Sequence, residues 1–146
     1  MNHDIINHDI VFKKLWEDNE LIELEVTCSS PVITAKTQIY VVNDLIDELI
    51  YKINLLVSGT TKEVLWECGS KGNDSTACVC FRFLNKDKLG HVYVETYLEL
   101  DDDGRDYDKH NCCFFVNTEQ GMLINFAHRI TQLKNGCQGD EVHLNI

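Results

Sequence analysis

The chain has 146 residues and a formal charge of −11, from 24 Asp and Glu against 13 Lys and Arg. That length suits one domain burying roughly 68–70% of its unfolded surface, and a hydrophobic content of 44% excludes a disordered chain. The acidity excludes a basic nucleic-acid footprint: phosphates would be repelled, and the few cations are spread along the sequence.

The N-terminus repeats Asn2-His3-Asp4-Ile5 as Asn7-His8-Asp9-Ile10, read as a frayed lead over residues 1–9. It has neither the cationic start nor the apolar core of a signal peptide, and no apolar stretch is long enough to span a bilayer. A cytoplasmic protein without membrane contact is the expectation. Val11 to Asp18 is a short strand-like segment. Glu20 to Ser29 alternates, with Ile22, Leu24 and Val26 opposite Glu23 and Glu25, as a half-buried strand does. Pro31 punctuates it, and a second strand follows from Val32 to Val42.

From Asp44 to Val57 the period changes. Ile46, Leu49, Ile50, Ile53 and Leu56 recur at three and four, which predicts an amphipathic helix. Asn43 is placed to cap it, Asp44, Asp47 and Glu48 suit its positive end, and Ser58-Gly59 supplies a left-handed stop. Strands are then expected over Lys62–Cys68, Thr76–Leu84, His91–Leu100 and His110–Val116, with a hairpin loop over Asn85–Gly90. A second helix runs from about Glu119 to Lys134, with Thr118 as its cap and Leu123, Phe126, Ala127, Ile130 and Leu133 as its buried stripe. Glu141 to Ile146 closes the chain as a strand.

Two strand–helix–strand units, one from Ile39 to Leu65 and one from Phe114 to Leu144, flank a strand meander. Their helices differ in length and few side chains match, which favours the common grammar of an α+β protein over duplication. The expected fold is one α+β domain over 1–146: a mostly antiparallel sheet of about six to eight strands with two helices packed on it.

Seven cysteines without a secretion signal favour reduced thiols, and no C-x-x-C occurs. Cys78, Cys80, Cys112 and Cys113 lie in apolar strand-like runs, where cysteine behaves as a small hydrophobe. No zinc site, cofactor or catalytic residue is assigned. A P-loop, G-x-G-x-x-G, G-x-S-x-G and H-E-x-x-H are all missing, and pairing Cys113 with His110 or Cys112 with Asp108 is what chance gives among seven Cys and six His.

The candidate site is acidic. Asp101, Asp102, Asp103, Asp106 and Asp108 surround Tyr107 in one short segment. Read as a calcium loop it fails, because the position needing a bidentate Glu falls on His110. Read as a recognition segment, it offers charge steering with a rigid aromatic contact. Tyr93, Glu95, Tyr97 and Glu99 share one face of the preceding strand and extend the same patch if that face is open.

In size, acidity and layout, with strands, Val116-Asn117-Thr118-Glu119 leading into an amphipathic helix, and a terminal strand, the chain resembles the small cytoplasmic immunity proteins of bacterial polymorphic toxin systems, including contact-dependent growth inhibition. It is also similar in outline to several bacterial domain families with a helix ending, as here, in Leu133-Lys134-Asn135-Gly136. The resemblance implies a non-enzymatic protein that binds a cognate toxin domain and blocks its active site or a required surface; a carboxylate-rich face suits a cationic toxin domain. The competing readings are a DNA-mimicking inhibitor or other acidic protein-binding module, and a metal-dependent enzyme. A homodimer through an open sheet face is a further assembly compatible with the pattern.

Overall fold

A computed structural model describes residues 5–69, 77–100 and 110–146. Along the chain run β1 (Asp9–Glu17), β2 (Leu21–Ser29), β3 (Thr34–Val42), α1 (Asn43–Val57), β4 (Glu63–Cys68), β5 (Cys78–Asn85), β6 (His91–Glu99), β7 (Asn111–Glu119), α2 (Gln120–Lys134) and β8 (Glu141–His143). The expected α+β class is found. Its eight strands divide into two antiparallel four-stranded sheets, β3-β2-β1-β8 and β4-β5-β6-β7. No helix among the described residues is long and apolar enough to cross a membrane.

The two halves share one plan. Each is a three-stranded meander followed by a helix, and each helix delivers its following strand to the other half's sheet, so β4 pairs with β5 and β8 with β1. Both helices have 15 residues, which corrects the sequence reading that they differ. Their buried positions coincide at constant spacing: Ile46, Leu49, Ile53 and Leu56 match Leu123, Phe126, Ile130 and Leu133. In the sheets, Phe12 opposite Val26 matches Phe81 opposite Thr96. These two rings stack on each other at 6.1 Å where the halves meet. Agreement in topology, length and register favours duplication over shared grammar.

The core lies between the inner faces of the sheets and the helices. Phe126 meets Phe12 edge-on at 5.4 Å, and Trp66 stacks on Phe81 at 5.8 Å while its indole N–H donates to Leu45 O at 2.9 Å. Side chains of this size contribute about 1.5–3 kcal/mol each on full burial. Lys134 at the end of α2 reaches Asp47 near the start of α1 at 2.5 Å, tying the antiparallel helices together.

Several boundaries differ from expectation. Asn43 is the first residue of α1 rather than its cap; Val42 holds the N-cap position without a side-chain bond. β7 continues through Thr118 to Glu119, so Thr118 is a strand residue whose hydroxyl donates to Asn145 Oδ1 at 2.6 Å. At the C-terminus of α2 the buried Lys14 ammonium donates to the carbonyls of Leu133, Lys134 and Gly136 at 3.0–3.3 Å and pairs with Glu17 at 3.0 Å. The other half caps α1 with a neutral group, Asn85 Nδ2 on Leu56 O. Residues 5–9 are not the frayed lead expected: Ile5 is buried, and His8 and Asp9 bond to β7 and the β8 segment.

Candidate binding face

Strict alternation in β6 decides the site. Val92, Val94, Thr96 and Leu98 are buried inward, so His91, Tyr93, Glu95, Tyr97 and Glu99 form an outward row. Neither helix covers this side, and every member of the row is partly exposed. Adjacent strands extend it: Glu63, Leu65 and Glu67 on β4, Cys80 and Arg82 on β5, Phe115 and Glu119 on β7.

The face is acidic and unevenly paired. Arg82 is the only Lys or Arg its four strands contribute. It forks onto Glu95 through Nε at 3.2 Å and Nη2 at 3.0 Å, and reaches Glu63 at 2.7 Å. These bonds, to Glu95 first, hold the guanidinium charge still more firmly. Glu67 accepts from the Cys80 thiol at 3.3 Å, and Glu99 accepts from the Tyr97 hydroxyl at 2.5 Å. Burial and then the neighbouring carboxylate push the Tyr97 phenol well above its ordinary value, so it stays a donor. Between the charges, Leu65 and Phe115 are 49% and 44% exposed. Phe115 meets Tyr93 edge-on at 6.0 Å, and Lys86 lies 4.7 Å from the Tyr93 ring.

Of the sequence-derived site, Tyr93, Glu95, Tyr97 and Glu99 come together on this face. Asp101, Asp102, Asp103, Asp106, Tyr107 and Asp108 lie outside the described residues. Glu63, Glu67, Leu65 and Phe115 were missed. The alternation within 62–68 was a usable signal for the first three, but only the pairing order brings β4 and β7 to the same sheet.

Four of the thiols are held back from activation. Burial raises Cys28, Cys80 and Cys112, and lifts Cys68 to about 12, so these sulfurs remain protonated at neutral pH. Among the described residues no group of three or more His, Cys, Asp or Glu is arranged to hold a metal ion.

A second polar cluster, also missed, ties down the last strand. Asp9 Oδ1 accepts from the backbone N–H of Ile10, Leu144 and Asn145 at 2.9–3.0 Å, and Oδ2 meets His143 Nδ1 at 2.8 Å. His143 Nε2 meets Glu141 at 3.1 Å. Burial works to lower the His143 pKa, but the bonds to Asp9 and Glu141 together outweigh it and leave the pKa raised. With both ring nitrogens and both carboxylate oxygens engaged, the pair acts as a clamp rather than a free base. Beside it opens a cleft of about 790 Å³, bounded by Ile6, His8, Pro31, Met122, Asn145 and Ile146 among others.

No family model, curated protein or solved structure matches this chain.

Proposed function

We propose that the chain is a non-catalytic immunity protein that neutralises a cognate toxin domain by presenting the outer face of the β4-β5-β6-β7 sheet to a cationic surface. One observation carries the reading: Glu63, Glu67, Glu95, Glu99 and Glu119 share an open face with a single strand cation, Arg82, around the exposed Leu65 and Phe115. Such carboxylates steer a cationic partner and set its orientation, and a desolvated apolar centre slows its release. In sequence the acidic run from Asp101 follows β6 by one residue.

Co-expression with its cognate toxin domain should restore growth. Replacing Glu63, Glu67, Glu95 and Glu99 together by Gln should weaken that complex by at least about tenfold at low salt and flatten its salt dependence. Unchanged affinity and salt slope in the quadruple variant would overturn the assignment of this face.

A further inference from the structure

The four sheet edges are treated differently. At β4 the Lys52 ammonium donates to Leu65 O at 2.5 Å, and at β8 Arg129 donates to His143 O at 2.8 Å, so a helix cation closes each of these short edges. β7 is met at Asn117, whose N–H donates to His8 and whose carbonyl accepts from Asn145. Among the described residues β3 is closed only at one end, where Cys68 Sγ lies 3.6 Å from Tyr40 O.

The rest of the β3 edge is open among the described residues. Ser30 N–H donates to Ile33 O at the hairpin, and alternation from there turns the N–H and C=O groups of Thr34, Lys36 and Gln38 away from β2. None of the other described residues bonds these groups. The devices that usually blunt an edge are sparse: β3 contains no proline, its register with β2 is unbroken from Val42 to Thr34, and its one charge, Lys36, lies 3.6 Å from Glu25. Along the edge runs a groove of about 340 Å³ lined by Glu23, Lys36, Thr37, Gln38, Tyr40 and Leu100. Thr37 Oγ1 donates to Glu99 O at 3.2 Å, so the groove adjoins the end of the acidic row on β6.

We infer that this edge receives an extended cationic segment of the partner as an added strand, an inference that rests on the proposed binding role. Main-chain bonds at Thr34, Lys36 and Gln38 supply affinity, and alternate side chains of the incoming segment face the groove. The occupant is cationic because Glu23 lines the groove, Lys36 on the same lining is held beside Glu25, and the chain carries a net charge of −11. A second copy would bring its own charge of −11 to the same edge and be repelled.

The test uses the full chain and a capped seven-residue peptide of alternating Lys and Val, compared by calorimetric titration with the same peptide N-methylated at every backbone nitrogen. The unmethylated peptide should bind about tenfold tighter or better, and the Lys36 and Gln38 amides should gain exchange protection. Lys36→Pro and Gln38→Pro each remove one outward N–H while sparing the bonds to β2, and each should lose about tenfold in affinity with the circular dichroism spectrum retained. Equal affinity for the two peptides overturns strand addition. If that equal binding still falls when Glu63, Glu67, Glu95 and Glu99 become Gln, the acidic-face reading stands and the edge inference alone fails. If methylation matters but the four substitutions do not, the edge stands and the acidic-face reading fails. A dimer in sedimentation that Lys36→Pro dissociates would identify a second copy as the occupant and overturn the inference.

Discussion

The outer faces of the two sheets occupy equivalent places in the two halves, yet carry different surfaces. On the first sheet the outward row mixes Lys13 and Lys36 with Asp9, Glu23 and Glu25. On the second, the position of Lys13 is taken by Arg82 and that of Glu25 by Glu95, so one cross-strand charge pair survives in kind. Around it everything has changed. Glu23 corresponds to Tyr93, Thr27 to Tyr97, Ser29 to Glu99, Lys36 to Cys113 and Gln38 to Phe115. Inward positions behave oppositely: Ile22, Leu24 and Cys28 correspond to Val92, Val94 and Leu98, all buried. Packing at interior density penalises change at inward sites, whereas outward sites are free to diverge toward a partner. The asymmetry therefore lies on the side where binding is proposed.

The largest expected effect tests the equivalence itself. Phe12→Ala and Phe81→Ala should each cost about 3–5 kcal/mol in urea unfolding, because each opens a cavity at the junction of the halves. Since the rings touch, the double variant should depart from the sum of the two singles. A cost under about 1 kcal/mol for either ring would show that the halves do not share one core.

Lys14 sharpens the comparison from its exception, for its position corresponds to Phe83 in the other half. Lys14→Met keeps an apolar stem but strips the ammonium from three carbonyls at the end of α2, and should cost about 2 kcal/mol in the same assay. Asn85→Ala, which removes the corresponding cap on α1 together with the bond that Asn85 Oδ1 accepts from Gln120, should cost less, about 1 kcal/mol, because only neutral bonds are lost. Equal costs would mean that charge contributes nothing to the α2 cap. On the outer face the expected effect on folding is smaller again. Glu63→Gln, Glu67→Gln, Glu95→Gln and Glu99→Gln combined should shift thermal unfolding little, any loss at Arg82 being offset by reduced self-repulsion. A large loss of stability would assign these carboxylates to the fold rather than to a partner.

Much of this plan was legible in the chain. The alternation of β2 and β6 and the three-and-four spacing of both helices placed the strands, helices and buried stripes, because each element has one clean apolar side. The helix caps were read one residue late or early for a physical reason: Asn43 and Thr118 are good capping types, but each half passes from strand to helix without a turn, so the cap positions fall on the last strand residues, Val42 and Glu119, neither of which makes a side-chain cap bond. Pairing order was not legible, since nothing local tells β4 and β8 to cross to the other half's sheet. For the same reason Glu63, Glu67 and Phe115 could not be grouped with β6 beforehand. The clamp on β8 was hidden because Asp9, Asn117 and His143 are distant in sequence and individually ordinary.

That clamp gives the smallest and most conditional expectation, and it too separates the halves. The folded His143 pKa is raised above its ordinary value near 6.5, so the folded state binds the proton more tightly than the unfolded chain. The resulting stability is fully present below the unfolded pKa and is lost as pH rises through the folded one. His143→Gln should therefore be less stable than the parent at pH 5–6 and converge on it at pH 8–9 (about the range over which imidazole loses its charge). Asp9 retains the N–H bonds of Ile10, Leu144 and Asn145 when the imidazole is neutral, so β8 should stay docked throughout. In the other half the corresponding edge is held by Lys52 on Leu65 O, which carries no imidazole and should show no such pH dependence when replaced by Met. A pH-independent gap between parent and His143→Gln would show that the imidazole contributes only through packing and neutral hydrogen bonds.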